Sequence, residues 1–436
     1  MAVCTSDFKI SILTPSFYNI YSRLSPLFYA VTPSEYEHGR QFFRRSGISY
    51  NSRAVRENGG RVCIFHPCAA LGHWLAARVM NTFDALSLFS GGLDSILASK
   101  LMQSLGHKVL GLHFISPFFG KPDQGPEWER EYGIPITVID VGQEFVDLMA
   151  AFPPHGFGKV LNPCVDCKIL MLRRAKELLP VYGASYIISV EVLGQRPMSQ
   201  RADTLNIIRN EAEVRDVLLR PLSAGLLPVT PMEESGLVDR AKLPSLVGRG
   251  RKGQYALAKT LGVTKIPTQA GGCRLGERES ARRYWPILRT FPKPLAPYFD
   301  LANVGRQLWR SEAGVPTGHW MVMGRDHKDN QKLLKLVHPE QYVFVLKNFP
   351  GPHAVGIPVP GQDWTDEILA EAAACLASFS PKARKHGDAV DVSVERGGTE
   401  RIVSVRPDLP HGFEDNPTWP QTRAQQKAWE RQLAEG

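Results

Sequence analysis

A six-residue segment between an apolar run and a helical repeat constrains this chain more than any other feature. The segment, Ser90-Gly91-Gly92-Leu93-Asp94-Ser95, follows the apolar residues 85–89 and opens a helical spacing of apolar residues over 94–105. Glycines permit unusual backbone angles, and successive N–H groups at the start of a helix bind anions. A carboxylate in such a loop is useful where it holds Mg²⁺ bridging phosphates. The segment therefore predicts a strand, a phosphate-binding loop and a helix.

Strand and helix patterns alternate downstream of this loop. The strand patterns lie at 108–114, 134–141 and 186–190, and a second helical pattern lies at 168–179. Alternation of this kind predicts a doubly wound parallel α/β sheet. A different, α+β pattern begins after Pro316, with four strand patterns and a helical one at 365–379.

These patterns divide the chain into four parts. We expect an N-terminal extension at 1–79, which translation starting at Met80 would remove, and a catalytic α/β domain at 80–315. A smaller α+β domain follows at 316–406, and a polar, loosely docked tail at 407–436. No run approaches the roughly 20 apolar residues of a membrane span, and the N-terminus is unlike a signal peptide. We therefore predict a cytoplasmic protein without a membrane partner.

The phosphate loop resembles the SGGxDS loop of the PP-loop ATP pyrophosphatase superfamily. It is not a Walker A loop, because the Gly-Lys-Ser/Thr ending is absent. The resemblance implies an adenine nucleotide alpha hydrolase-like sheet and an enzyme that cuts ATP between the α- and β-phosphates. Asp94 would be catalytic and would bind Mg²⁺. The implied ATP contacts are Ser90, Gly91, Gly92, Leu93, Asp94, Ser95, His113 and Phe114.

Three of the seven cysteines form a second candidate site. Cys164 and Cys167 have C-x-x-C spacing within Asn162-Pro163-Cys164-Val165-Asp166-Cys167, and Cys273 follows two glycines. Three thiolates cannot close a four-thiolate zinc or iron–sulfur site, but they can hold a [4Fe–4S] cluster with one open iron. The segment resembles one branch of the tRNA-thiolating PP-loop enzymes, which implies such a cluster. It also resembles the tRNA 2-thiouridylases, which implies instead that Cys164 is a nucleophile and Cys273 carries a persulfide.

Polar and basic residues form a third group. Gln195, Arg196, Ser199 and Gln200 follow a predicted strand, and ligands bind beyond the carboxyl ends of such strands. Arg249, Arg251 and Lys252 form a basic cluster suited to phosphate. Residues 196–289 contain 17 Lys and Arg against 9 Asp and Glu, which is most of the net charge of +9. We predict that these residues contact the substrate or pyrophosphate, and that the substrate is a polyanion such as RNA.

Residues 316–406 resemble the RNA-binding domain called NFACT-R, on segments 349–356 and 371–384. The RNA-contact candidates there are Arg325, His327, Lys328 and His353. Together the resemblances imply ATP-dependent thiolation of a tRNA uridine, with ATP, Mg²⁺ and a [4Fe–4S] cluster as cofactors and a sulfide or persulfide carrier as sulfur donor. Two alternatives stay open: a PP-loop ligase acting on a small molecule with structural zinc, and a non-catalytic protein that binds ATP and RNA.

Overall fold

A computed structural model describes residues 52–57, 60–65, 82–196, 199–268, 272–312, 315–362 and 364–435. The chain divides into two units, Met1–Asn81 and Thr82–Gly436. In the first unit the described residues form an antiparallel hairpin of β1 (Ser52–Glu57) and β2 (Gly60–Phe65). Among the described helices, none has the length and apolar character needed to span a membrane.

The second unit begins with a five-stranded parallel sheet. Its strands are β3 (Ala85–Leu88), β4 (Val109–Ile115), β5 (Ile136–Asp140), β6 (Tyr186–Ile188) and β7 (Leu218–Leu219). Their order is β5-β4-β3-β6-β7, and every neighbouring pair is parallel. The doubly wound α/β class predicted from the alternating patterns is confirmed.

Helices cover both faces of this sheet. They are α1 (Leu93–Ser104), α2 (Gly125–Tyr132), α3 (Gly142–Ala150), α4 (Cys164–Tyr182) and α5 (Ala202–Glu211). Ala85 packs in the same apolar cluster as Ile96 of α1, whereas Leu86 packs with Leu172 of α4. Adjacent strand residues point to opposite faces, so every residue of β3 is buried because both faces of the sheet are covered.

Short helical segments lead from the parallel sheet to the next one. They are α6 (Pro231–Glu234), α7 (Lys252–Thr260), α8 (Arg278–Thr290) and α9 (Ala296–Ala302). Four 3₁₀ turns, at Pro122–Gln124, Pro221–Leu226, Arg240–Lys242 and Arg274–Gly276, complete the loops of this half. This stretch contains most of the basic residues counted above.

A seven-stranded antiparallel sheet forms the C-terminal half. Its strands are β8 (Arg306–Glu312), β9 (Val315–Met323), β10 (Tyr342–Leu346), β11 (His353–Ile357), β12 (Val390–Arg396), β13 (Thr399–Val405) and β14 (Phe413–Asp415), in the order β13-β12-β10-β11-β9-β8-β14. Its helices are α10 (His327–Leu336), α11 (Asp366–Ser378) and α12 (Pro381–His386). The predicted α+β region is present, and β8 already belongs to it.

The chain end differs from the loosely docked tail that we expected at 407–436. It contributes β14 to the sheet and ends in helix α13 (Trp419–Glu435). The side chains of Thr422 and Gln426 are fully buried, and the guanidinium of Arg289 lies 4.4 Å from the ring centroid of Trp429. The segment is polar in composition, yet its two tryptophans supply the apolar contacts that hold the helix.

Candidate functional site

The phosphate loop lies at the carboxyl end of β3, as predicted. Gly91 has φ +75°, and a Cβ built on it would lie 2.4 Å from Cζ2 of Trp128. The loop backbone therefore packs directly on the Trp128 ring, which leaves room for no side chain at this position. The N–H of Gly92 meets the Ser90 Oγ at 3.4 Å. Ser90 is exposed, and both glycines are partly exposed, so backbone donors of the loop are open to a ligand.

Two residues of the predicted ATP loop face the protein interior. Leu93 is buried in the core beside α1. Ser95 is 1% exposed, and its hydroxyl donates to the carbonyl oxygen of Gly92 at 2.7 Å. This bond ties the first turn of α1 to the loop. Both side chains therefore shape the loop rather than present donors to its open face.

Asp94 is bonded to Gln195, which comes from the segment after β6. Gln195 Nε2 donates to Asp94 Oδ2 at 3.1 Å. The other oxygens of the pair, Asp94 Oδ1 and Gln195 Oε1, are buried and have no hydrogen-bond partner among the residues described. Unpaired buried oxygens call for a donor or a cation, and Mg²⁺ prefers oxygen ligands. The donor set at Asp94 therefore fits Mg²⁺.

The basic cluster lies next to the Gln195 segment. The N–H of Gly248 donates to the carbonyl oxygen of Leu193 at 2.8 Å, and Leu193 and Val247 form a parallel bridge. Arg249 and Lys252 are exposed and Arg251 is half-buried at the start of α7. Two groups predicted separately, at 195–200 and at 249–252, thus meet near the phosphate loop.

The remaining predicted substrate residues differ in exposure. Arg196 is exposed, whereas Ser199 and Gln200 are 7% and 8% exposed. The backbone of Gln200 accepts the N–H of Gly194 at 2.7 Å. Its side-chain Oε1 is buried without a partner among the described residues. Ser199 and Gln200 therefore close the loop that presents Gln195.

His113 and Phe114, predicted to contact ATP, are both buried. His113 Nδ1 lies 2.9 Å from the carbonyl oxygen of Phe89, and His113 Nε2 accepts the N–H of Lys121 at 2.8 Å. Burial is the main cause that lowers the pKa of His113, and the charge of Lys121 lowers it further. A neutral ring with its proton on Nδ1 satisfies both bonds. His113 thus joins the end of β3 to the loop after β4.

The three cysteines converge from distant segments. Cys164 is the first residue of α4, and Asn162 Nδ2 donates to its sulfur at 3.1 Å. Cys273 forms an antiparallel bridge with Phe119, beyond the end of β4. The N–H of Leu161 also donates to the carbonyl oxygen of Leu275 at 3.1 Å. The backbone therefore joins the Cys273 loop both to the parallel sheet and to the segment before Cys164.

Burial and neighbouring thiols raise the pKa of Cys167 and of Cys273. Burial raises the pKa of Cys167, and the neighbouring Cys273 and Cys164 raise it further, while Lys168 lowers it. Desolvation likewise raises the pKa of Cys273, although backbone bonds from Leu275 and Gly276 oppose the shift. Over the described residues, no three His, Cys, Asp or Glu side chains are arranged as a ready metal site. The cysteines are close, but their described arrangement does not fit a preformed iron–sulfur site.

A buried ion cluster was missed by the sequence reasoning. Glu191, 2% exposed, lies 3.0 Å from Lys168 Nζ and 3.5 Å from Arg220 Nε, and it accepts the Ser189 hydroxyl. Burial alone would raise the pKa of Glu191, but the two cations and the hydroxyl lower it to about 2. The available signal was a carboxylate directly after an apolar strand. The cluster links the cysteine helix α4 to the segment that carries Gln195.

Part of the chain is similar in sequence to known proteins. Residues 81–225 match the family model described as thiamine biosynthesis protein (ThiI). The matched segment spans the phosphate loop and the five-stranded parallel sheet. A Thermococcus kodakarensis protein named probable tRNA sulfurtransferase is 25% identical over 173 residues, which are 39% of this chain. The match covers 42% of that relative, so the chain spans less than half of its length.

Two solved structures show the extent of the structural likeness. A predicted subunit of tRNA methyltransferase from Methanocaldococcus jannaschii is 16% identical, and the match covers 40% of this chain and 75% of that chain, with a TM-score of 0.26. NMN synthetase from Francisella tularensis is 15% identical and covers 47% and 96%, with a TM-score of 0.23. These TM-scores are low, so the two structures carry no argument about this chain.

Proposed function

We propose that this protein is an ATP-dependent tRNA sulfurtransferase. It adenylates a uridine carbonyl oxygen, releases pyrophosphate and replaces the oxygen by sulfur. The observation that carries the proposal is that residues suited to ATP binding and cysteines suited to sulfur transfer lie at the same edge of the parallel sheet. A phosphate loop lies at the end of β3, with one Asp94 oxygen that has no partner among the described residues, and Cys273 is bridged to Phe119 beyond the neighbouring β4. The ThiI family match and the relative named tRNA sulfurtransferase support the same reaction.

The loop and its neighbours activate the substrate. Backbone N–H groups of the loop and the Ser90 hydroxyl hold the ATP phosphates, and Asp94 holds Mg²⁺, which supplies charge neutralisation when bound. The uridine oxygen attacks the α-phosphate in line with the departing pyrophosphate, and positioning and electrostatic stabilisation provide the catalysis. Arg251 and Lys252, next to the Gln195 segment, bind the pyrophosphate and neutralise its negative charge.

The cysteines complete the reaction through thiol chemistry. Cys273 accepts sulfane sulfur from a persulfide carrier, whose own thiol is the leaving group, and becomes a persulfide. The terminal sulfur then attacks the adenylated carbon so that AMP leaves. Cys164 then attacks the sulfur of Cys273, which releases the thiouridine and leaves a Cys164–Cys273 disulfide. A thiol reductant restores the pair. Cys164 suits the attack because the N-terminus of α4 stabilises a negative charge there, and Asn162 donates to its sulfur.

An iron–sulfur cluster is the rival sulfur source. Cys164, Cys167 and Cys273 would be its ligands, and a cluster with an open iron would supply a sulfide-binding position. Among the described residues, the side chains of these cysteines are not arranged as a metal site, which favours the thiol route.

The C-terminal sheet is proposed to capture RNA. Arg325 is 51% exposed and its ion pair with Asp329 at 2.6 Å holds it at the start of α10. Neighbouring His327 and Lys328 are exposed, and His353 is half-buried. Cations and aromatic rings on an open surface suit phosphate and base contacts.

A single assay tests the function. The protein is purified anaerobically and assayed for iron, sulfide and zinc. It is then incubated with unmodified tRNA, ATP, a thiol reductant and either a persulfide donor, which the Cys273 route requires, or sulfide, which only the cluster route can use, while pyrophosphate and thionucleosides are measured. We expect Asp94→Asn to abolish pyrophosphate release, Cys164→Ala and Cys273→Ala to abolish only thionucleoside formation, and the core variant Cys375→Ala to retain both. Normal pyrophosphate release by Asp94→Asn would refute the proposal. Turnover with a small carboxylate and no RNA would indicate the ligase instead.

A further inference from the structure

One exposed face of α7 combines an aromatic ring with cations. Lys252, Tyr255 and Lys259 lie on this face, and Tyr255 is 43% exposed. The opposite face, with Gln254 and Ala258 each 1% exposed, packs against α1. The spacing of three and four residues puts the three exposed side chains along one side of the helix. The Tyr255 ring is thus exposed between two lysines, where a partner can contact it.

Arg249, just before α7, and the two lysines of this face have no ion-pair partner among the described residues. Within the described ranges, no carboxylate or hydrogen-bond partner contacts the side chains of Arg249, Lys252 or Lys259. Other cations of the same basic stretch are paired: Arg240 with Glu233 at 2.7 Å, Lys242 with Asp239 at 3.4 Å, and Lys265 with Glu127 at 3.2 Å. The positive charge around Tyr255 is therefore available to a polyanion.

The face begins beside the phosphate loop. Gly248, just before Arg249, is bonded to the carbonyl oxygen of Leu193 at 2.8 Å, and Gln195, two residues further, is bonded to Asp94. The helix then runs away from this point for nine residues, or about 13 Å. A strand lying along α7 would thus lead to the adenylation site.

We propose that this face of α7 binds a single-stranded part of the RNA substrate next to the target nucleotide. Tyr255 stacks on a base, while Arg249 and Lys259 contact backbone phosphates. Aromatic stacking within a cationic groove is how proteins hold single strands without reading their sequence. The cations alone would suffice to bind an acidic protein, whereas the exposed Tyr255 ring suits a base. The inference depends on the proposed function for the identity of the substrate.

Binding of fluorescent unmodified tRNA, without ATP, tests the proposal. Anisotropy titrations over a range of salt concentrations compare the full-length protein with Tyr255→Ala, Tyr255→Phe, Arg249→Ala and Lys259→Ala. The matched control is Lys242→Ala, an exposed lysine of the same stretch that is paired with Asp239. We expect Tyr255→Ala to weaken binding about 5- to 100-fold and Tyr255→Phe to bind as the wild type does. Arg249→Ala and Lys259→Ala should each reduce the salt slope by about 0.7.

Two results would overturn the proposal. One is wild-type affinity in Tyr255→Ala together with an unchanged salt slope in Arg249→Ala. The other is an equal loss in Lys242→Ala, which would show only a general field of positive charge. The assay measures RNA binding alone, so a protein that binds tRNA through Tyr255 but forms no thionucleoside would refute the proposed reaction and not this surface.

Discussion

Gln195 Nε2 and Asp94 Oδ2 are joined by a 3.1 Å hydrogen bond across two segments that are a hundred residues apart. The bond holds the Asp94 carboxylate at the phosphate loop and leaves one oxygen on each side chain without a partner among the described residues. A cation at Asp94 would therefore find a second oxygen on Gln195.

Gln195→Ala should raise the Mg²⁺ concentration needed for ATP binding by about 10-fold, because loss of an orienting partner typically weakens a metal site by 10- to 100-fold. The measurement is Mn²⁺ binding by electron paramagnetic resonance in the presence of a non-hydrolysable ATP analogue. The control is Gln103→Ala. The side-chain amide of Gln103, in the last turn of α1, donates to the carbonyl oxygen of Gly133. Unchanged Mn²⁺ affinity in Gln195→Ala would remove Gln195 from the site.

Gly91→Ala should disable the loop, whereas Gly92→Ala should be tolerated. Gly91 has φ +75° and its Cβ would overlap Trp128, whereas a Cβ on Gly92 would lie 3.4 Å from Ser90 Oγ at φ −86°. The left-handed backbone costs a non-glycine residue roughly 1–2 kcal/mol, and displacement of the ring adds to this. Calorimetric ATP titration and thermal unfolding check the pair, and equal behaviour of the two variants would contradict this packing argument.

Glu191→Gln should destabilise the protein by about 3–5 kcal/mol, since it leaves buried Arg220 and half-buried Lys168 without their counter-charge. The pKa of Glu191 is lowered to about 2, so the folded state binds its proton less tightly than the unfolded chain. Its stabilisation is present above the ordinary glutamate pKa and is lost as pH falls through about 2. Urea unfolding at several pH values measures this. Glu177→Gln, at an exposed ion pair with Arg174, should change stability by less than about 1 kcal/mol.

Asp300→Asn should stabilise the protein at neutral pH. Burial, followed by the charge of Asp140, raises the pKa of Asp300 to about 6, although Arg274 opposes the shift. The folded state thus binds the proton more tightly, and its stability falls as pH rises from the ordinary aspartate pKa towards 6. The variant lacks this penalty, which is about 1–2 kcal/mol after allowance for partial exposure. Denaturant curves at pH 4 and pH 8 should show a gain only at pH 8; a gain at both would assign it to another cause.

The phosphate loop and the fold class could be predicted from the sequence because their signals are local. Six contiguous residues form the loop, and the strands and helices follow from apolar spacing that each segment carries by itself. The spacing of Cys164 and Cys167 is visible in the same way. Cys375, by contrast, stands among alanines and a leucine in α11, and its side chain is fully buried.

Tertiary structure decided which distant residues meet. Cys273 is brought to the other cysteines by its bridge to Phe119 and by the bond between Leu161 and Leu275. Glu191 is charged because Lys168 and Arg220 arrive from other elements. The sequence by itself determined the loop and the parallel sheet, since local backbone preference and apolar periodicity set them. Only packing decided the partners of Glu191 and Cys273 and the docking of α13, because these depend on contacts between segments far apart in the chain.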